Sequence, residues 1–465
     1  MSKVNTLQKI RFHFLGAAKT VTGAKFLIET PSFKILVDCG MFQGLKELRE
    51  ENWKPLPINP SYIDIVLLTH GHLDHTGYLP RLIQQGFKGS IIGTKPTLEI
   101  AKIILEDSAR IHEEDAKRAN EEGFTKHKKA LPFYTIEEAN QAIKLFKSIT
   151  PENWILLTHD IQARFIPVGH IIGATYIELT IYKKVFVFSG DIGRPNDYLL
   201  NPPKKPRWAD ILFLESTYGD RLHQEENIEE KFITLIKQII YNRGTLIIPS
   251  FAVERLQTLM YILWKLQLKN KIPMIPIYVD SPMGNNVLNV FERFSEWHKI
   301  DPNEYKAMCH HIHIITSYKE TWDVIDKPIP KIVIAGSGMV TGGRVLTYLK
   351  QLIDIPTTKI LLVGYQAEGT RGRQLQEGAH EVKIYGKYYP VKAEIHQIHS
   401  LSAHADQKEI LDWLSDIKNT PEKVFLVHGE PGASDALRVK LQNEFKWNIE
   451  IPNRNQIYEF YTSEE

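Results

Sequence analysis

The densest chemistry in this chain is the stretch Thr69-His70-Gly71-His72-Leu73-Asp74-His75-Thr76-Gly77, which offers three imidazoles and one carboxylate within six residues. Nitrogen and oxygen donors of this kind form the usual ligand set of a catalytic zinc site, which also keeps a position open for water. His70 and His72 lie two apart, and Asp74 and His75 follow directly. A loop can aim such a run at two neighbouring points, so the stretch carries the material for two metal ions. A single histidine here would read as a polar surface residue; four donors at this density read as a metal site.

Such donors need a rigid support, and the residues just before them supply one. Ile63-Asp64-Ile65-Val66-Leu67-Leu68 is a short apolar run bounded by polar residues, the pattern of a buried strand. A His-x-His-x-Asp-His loop leaving a strand resembles the signature of the metallo-β-lactamase fold. That superfamily hydrolyses thioesters, lactams and phosphodiesters, so the resemblance implies metal chemistry without fixing the substrate. Upstream, strand-like runs at 10–15, 25–30 and 34–37 end in Asp38-Cys39-Gly40. An Asp at a strand end is ordinarily a turn residue; the resemblance makes Asp38 the first motif of the fold, orienting the metal loop from behind. Downstream, Phe165-Ile166-Pro167-Val168 leads into Gly169-His170, about 100 residues after the first cluster, where the family places its third metal motif. Lys184-Val185-Phe186-Val187-Phe188-Ser189 then ends in Gly190-Asp191. One carboxylate bridging two cations holds them about 3.5–4 Å apart, and Asp191 matches the bridging ligand of the family. His70, His72, His170 and Asp191 are thus expected to form one zinc sphere. Asp74, His75 and Asp191 begin a second, which still lacks a ligand. Between these motifs, 96–122 reads as a long amphipathic helix, with Ile100, Ile103, Ile104, Asp107 and Ile111 near a 3.6-residue period, and 135–148 as a second packing helix.

With 465 residues the chain has room for two to four domains. A hydrophobic content of 43% and a charged content of 24% are those of an ordinary soluble protein. A net charge of +2 excludes a globally basic nucleic-acid binder, so any phosphate-binding surface must be local. Cys39 and Cys309 provide no disulfide framework, Met1–Thr6 lack the apolar core of a signal peptide, and no apolar run approaches a membrane span. A cytosolic, cytoplasmic protein with no membrane partner is expected.

After the strand-like run Asp210–Leu214 the pattern changes. A helix at 226–243, a strand at 246–249, a helix at 252–269 and a strand at 275–280 alternate, and strands at 331–335 and 360–364 follow. Alternation of this kind predicts a parallel α/β sheet with its own core, inserted into the first domain because metal-site chemistry resumes afterwards. Two glycine-rich stretches within it are candidates for phosphate contact. Gly336-Ser337-Gly338 leaves a strand with Arg344 close behind, and 364–373 mixes glycine with Arg371 and Arg373. The first is a weak match to a dinucleotide-binding loop because its third glycine is misplaced. Ser337, Gly338, Arg344, Arg371 and Arg373 are therefore the expected substrate-binding residues.

The chain returns to the metal at His399-Ser400-Leu401-Ser402-Ala403-His404-Ala405-Asp406, ahead of a helix at 407–417. The strand Lys423–Val427 then ends in His428, which repeats the strand-then-donor construction and fills the missing position of the second zinc. Glu215 in Glu-Ser-Thr-Tyr-Gly, His404 in Ser-Ala-His-Ala-Asp and His428 in Val-His-Gly-Glu resemble the motifs of the β-CASP branch, a group containing nucleic-acid nucleases. The likeness is strongest to the RNA endonuclease subunit of pre-mRNA 3′-end cleavage and its compact prokaryotic relatives. In that family a His at the last motif accompanies RNA substrates, whereas the DNA-repair members carry Val.

The resemblance implies an α/β protein: a metallo-β-lactamase αββα sandwich over 1–215 and 393–465, with an inserted parallel α/β β-CASP domain over 216–392. It implies a minimal two-domain catalytic unit, without the KH domains of the archaeal relatives or the long C-terminal region of the eukaryotic factor. The expected activity is zinc-dependent hydrolysis of single-stranded RNA, endonucleolytic with 5′–3′ exonuclease action left open. Two Zn2+, or Mn2+ in the same donors, lower the pKa of a shared water and polarise the phosphoryl oxygens. His404, oriented by Glu215, is the expected general acid; Asp38 and Asp74 complete the expected catalytic set. A DNA nuclease of the same branch, a non-catalytic RNA-binding scaffold and a small-ester hydrolase are the competing readings. A homodimer is carried as an expectation of assembly.

Overall fold

A computed structural model describes residues 7–122 and 129–463 of the chain. The N-terminal hexapeptide and Gly123, on which parts of the sequence reading rest, lie outside the described residues. Two seven-stranded sheets face one another. The first runs in the order Ile457–Ser463, Leu7–Phe14, Phe26–Glu29, Lys34–Val37, Ile65–Leu67, Ser90–Thr94, Phe146–Ile149. The second runs Ile449–Glu450, Lys423–Val427, Ile211–Glu215, Lys184–Phe188, Thr175–Ile181, Ile161–Pro167, Ile155–Thr158. Alternate residues of these strands point inward, and Phe12, Phe14, Phe26, Phe186, Phe188, Phe213 and Phe425 fill the space between the sheets. The Phe188 and Phe213 rings stack 4.2 Å apart at 11°. Helices cover both outer faces, among them Lys95–Glu121 and Ile136–Ile143 on the first sheet. The result is an αββα sandwich.

The third sheet has six strands in the order His313–Ile314, Ile277–Asp280, Lys331–Ala335, Thr245–Pro249, Lys359–Val363, Glu394–Ile398, and every pairing within it is parallel. Its four inner strands are buried throughout and mostly apolar because both faces are covered. One face has a core of its own, with Ile247, Val333, Ile360 and Leu362. The other does not: Leu246, Ile248, Ile332 and Ile334 belong to a cluster continuous with Leu212, Leu214 and Leu426 of the second sheet. The insert is therefore joined to the sandwich through apolar packing.

Two expectations are corrected. The helix expected over 135–148 stops at Ile143, and Phe146–Ile149 is instead a parallel edge strand beside Ser90–Thr94. Its start was legible, since Thr135 and Glu138 form a reciprocal capping box. The boundary expected at 392/393 also falls short, because Glu394–Ile398 pairs with Lys359–Val363 as the last strand of the third sheet. Among the described residues no helix is long and apolar enough to cross a membrane.

The register brings the donors to one rim. Val37 pairs with Leu67 in parallel, so Asp38 and Thr69 leave neighbouring strands at the same end. Glu215 is level with Val427, and Phe188 with Phe213, so the segments beginning at Ser189, Ser216 and His428 emerge side by side from the facing sheet.

Candidate metal centre and catalytic dyad

The seven expected ligands converge at this rim. His70, His72, His170 and Asp191 place one donor atom each within 4.8 Å of one another, and Asp74, His75 and His428 do the same. In the first set His70 Nε2 lies 3.1 Å from His72 Nδ1 and 3.4 Å from Asp191 Oδ2, while His170 Nε2 lies 3.3 Å from His72 Nδ1 and 3.5 Å from Asp191 Oδ2. In the second, His428 Nε2 is 3.2 Å from His75 Nε2 and 3.3 Å from Asp74 Oδ2, and His75 Nε2 is 3.3 Å from Asp191 Oδ1. Ligand atoms about 2.0–2.1 Å from a tetrahedral ion stand about 3.3 Å apart, which is the spacing found. Asp191 Oδ1 is buried without a hydrogen-bond partner; a carboxylate oxygen in that position needs a cation. The donor set fits two metal ions sharing Asp191.

The groups behind the donors fix which nitrogen faces inward. Asp38 accepts from Thr69 N–H at 2.8 Å through Oδ1, and from the Thr69 hydroxyl and His75 Nδ1–H, both at 2.8 Å, through Oδ2. With its hydroxyl proton given to Asp38, Thr69 Oγ1 accepts from His70 Nδ1–H at 3.1 Å. His170 Nδ1–H donates to the Ala403 carbonyl at 3.3 Å. These bonds leave Nε2 of His70 and His170 unprotonated toward the centre, the tautomer a ligand requires; they aim His75 Nε2 the same way, where burial would lower the imidazole but Asp191 and Asp38 outweigh it and hold it well above its usual range. Asp38 touches no donor position itself; it holds His75 directly and His70 through Thr69. Burial pushes His72 down to about 4 and His70 and His170 well below the usual imidazole range, so all three are neutral at pH 7. Burial would raise Asp191, but His428, His75 and His70 outweigh it and hold the carboxylate well below its usual range. Neutral imidazole and ionised carboxylate are the states that bind metal.

Glu215 is fully buried, and both its oxygens are engaged. Oε1 accepts from Ile192 N–H at 2.5 Å, and Oε2 accepts from the Thr217 hydroxyl at 2.6 Å and His404 Nδ1–H at 3.1 Å. His404 Nε2 then points toward the donors, 4.0 Å from Asp191 Oδ2. Burial alone would lower His404, but Glu215, Asp191 and Asp74 hold it up at about 9. The dyad thus presents a protonated imidazole beside the metal-binding rim.

The expected substrate-binding residues do not form one group. Arg344 is turned inward: its guanidinium lies 3.4 Å from the Tyr318 ring centroid, donates to Thr321 and faces buried Asp280. That burial removes it from any phosphate. Ser337 Oγ accepts from the backbone N–H groups of Thr341 and Gly342, and a Cβ on Gly338 would strike Phe251. Arg371 donates to the carbonyls of Lys383, Val340 and Thr341. Arg373, paired with Glu377, lines a cavity of about 300 Å³ with Glu368, Thr370 and Glu430. Thr69 and Thr217 were missed as functional residues. The only signal for them was adjacency to His70 and Glu215, which a sequence does not separate from an ordinary turn threonine.

An αββα sandwich with paired donor sets at the strand ends defines a metallo-hydrolase. Residues 24–228 match the metallo-beta-lactamase superfamily, 256–375 the Beta-Casp domain and 388–452 the Zn-dependent metallo-hydrolase RNA specificity domain. The chain is 32% identical over 423 residues to Ribonuclease TTHA0252 of Thermus thermophilus, covering 89% of this chain and 92% of that protein. It is 29% identical to the RNase J-like protein of Methanocaldococcus jannaschii, over 96% of this chain and 99% of that one, and 29% identical to the Transcription termination factor FttA of the same organism, over 95% and 70%. A crystal structure of a protein of unknown function from Enterococcus faecalis V583 shares the fold at 13% identity and a TM-score of 0.53, covering 98% of this chain and 100% of that one. The chain belongs to the β-CASP branch of the metallo-β-lactamase-fold nucleases.

Proposed function

We propose that this protein is a zinc-dependent ribonuclease that hydrolyses phosphodiester bonds of single-stranded RNA. The observation that carries the reading is the placement of the His404–Glu215 dyad against two complete donor sets that share Asp191. The names of its relatives, ribonuclease and RNase J-like protein, support RNA as the substrate. In this reading His70, His72, His170 and Asp191 hold one ion, and Asp74, His75, His428 and Asp191 the other; the same donors accept Mn2+. Bound zinc supplies an acidified water and polarises the phosphoryl oxygens. Glu215 fixes the His404 ring through Nδ1, leaving the Nε2 proton for the leaving 3′ oxygen. Asp38 and Thr69 keep His70 and His75 in the ligating tautomer. The products are a 5′-phosphate and a 3′-hydroxyl.

The test is incubation of the zinc-loaded protein with a 5′-labelled single-stranded RNA and the matching DNA, beside Asp74→Ala/His75→Ala and His404→Asn. RNA cleavage is expected to vanish in the first variant. In the second, kcat should fall about 10²–10⁴-fold with bound zinc unchanged. Equal cleavage of DNA would overturn the RNA assignment, and full activity in His404→Asn would overturn the dyad.

A further inference from the structure

We propose that the hairpin formed by Glu381–Ile384 and Lys387–Pro390, with the cations around its tip, is a docking surface for single-stranded RNA extending beyond the metal centre. The proposal deepens the ribonuclease reading and rests on it for the identity of the strand. Ile384 pairs with Lys387, so Tyr385 and Gly386 form a two-residue turn, with φ of +46° and +81°. A turn with two left-handed residues favours Asn, Asp or Gly, because a bulky side chain is strained there. Tyr385 occupies that position and is still 49% exposed, so core packing does not account for the ring.

Cations flank the ring. The Arg118 guanidinium lies 4.7 Å and Lys350 Nζ 5.7 Å from its centroid. On the outer face of the hairpin Lys383 Nζ stands 5.3 Å from the ring of Tyr388, which is 60% exposed. The opposite face is anchored, with Val382 and Ile384 buried in the core of the insert. Arg371 ties the hairpin to the 340–341 loop through carbonyl oxygens of both. Burial lowers the Arg371 pKa, Tyr385 opposes that, and the charge of Arg49 lowers it further. The acids in the neighbourhood are Asp115 and Glu122 beside Arg118, Glu381 on the outer face of the hairpin, and Glu368, Glu377 and Glu430 lining the cavity beside Arg373. Among the described residues none of Arg49, Lys350, Arg371 and Lys383 makes an ion pair.

Exposed rings interleaved with unpaired cations stack bases and hold phosphates without regard to sequence. The chain carries a net charge of only +2, so this concentration is local. It adjoins a cavity that reaches toward the catalytic rim. Glu430, two residues after His428, lines the cavity that Thr370 and Arg373 share, and Arg371 sits between those two.

The experiment is a fluorescence-anisotropy titration of the zinc-loaded protein, read before cleavage sets in, using His404→Asn, slowed about 10²–10⁴-fold, as the background. The probes are a short RNA that fills only the metal cleft and one about 30 nucleotides long, at several salt concentrations. In that background the longer RNA should bind about tenfold tighter, from one or two stacked bases. Adding Tyr385→Asn and Lys383→Gln should erase that gain and flatten the salt dependence. Asn suits the left-handed turn, so the melting temperature should hold; Lys350→Gln/Lys383→Gln, at a half-buried and an exposed lysine, is the second variant. No length effect in the background, or a length effect that survives both variants, overturns the surface. Wild-type protein that binds long RNA through these residues yet cuts no RNA supports the surface and overturns the ribonuclease reading instead.

Discussion

Lys25 is an ammonium placed where water does not reach. It donates to the Gly40 carbonyl at 2.5 Å and lies 4.4 Å from the ring centroid of Phe42 and 5.0 Å from that of Tyr78. Burial pushes it from 10.5 down to about 8. Between those values the unfolded chain binds the proton and the folded chain does not, so this residue's contribution to stability rises with pH across the window. The full change is of order 3 kcal/mol, at 1.36 kcal/mol per pKa unit. Lys25→Met, which keeps the stem and drops the charge, should lose that rise. Urea denaturation at pH 7.5 and pH 10 checks it: a wild-type advantage that does not grow between the two means Lys25 titrates normally in the fold. At the same scale, Asp38 shows how little of a site a residue's identity reveals. Its strand-end position was legible, but its division between His75 and Thr69 depends on a turn in which Asp38 itself adopts φ +58°.

At the scale of elements, two loops are zipped together behind the donors. Cys39 N–H donates to the His75 carbonyl, Met41 N–H to Leu73 and Gly40 N–H to Ala24. A Cβ on Gly40 would stand 1.5 Å from the Asp74 carbonyl oxygen, a backbone atom that cannot swing aside. Gly40→Ala is therefore expected to cost about 3 kcal/mol or more and to displace Asp74 and His75. Equilibrium zinc titration would then show the second ion weakened more than the first, and equal loss at both would sink the idea. Gly40 also marks the limit of the sequence. The strands carrying the donors were readable because apolar runs ended in His or Asp, as at Leu67, Phe188 and Val427. What touches Gly40 was not readable, because Asp74 lies on another loop. Arg344 failed for a related reason. An arginine after a glycine-rich turn suits a phosphate, and only the neighbouring Asp280, Thr321 and Tyr318 show it turned inward. The edge strand Phe146–Ile149 was lost because the helical period before it carries on without a break visible in composition.

Across the whole molecule, the donors come from both sheets and from segments far apart in the chain, so bound zinc should act as a clamp between them. At a free concentration 100 times its Kd, each site adds about 2.7 kcal/mol of stability. Chelation should lower the melting temperature accordingly, and Asp38→Asn should need about 10–100-fold more zinc to regain it. Calorimetry of the apo and loaded proteins tests both; an unchanged melting temperature would mean the ions do not join the sheets. The same dispersal has a consequence for biosynthesis. His70, His72, Asp74, His75, His170 and Asp191 are made more than two hundred residues before His404 and His428. The strand that carries His428 docks beside Ile211–Glu215 only after the whole insert has been added. A ribosome partway through this message therefore holds a chain without His404 and His428, which in the proposed mechanism are the proton donor and a ligand of the second ion. On that mechanism, the messenger RNA threaded through the ribosome meets the activity it encodes only after the last motif has left the tunnel.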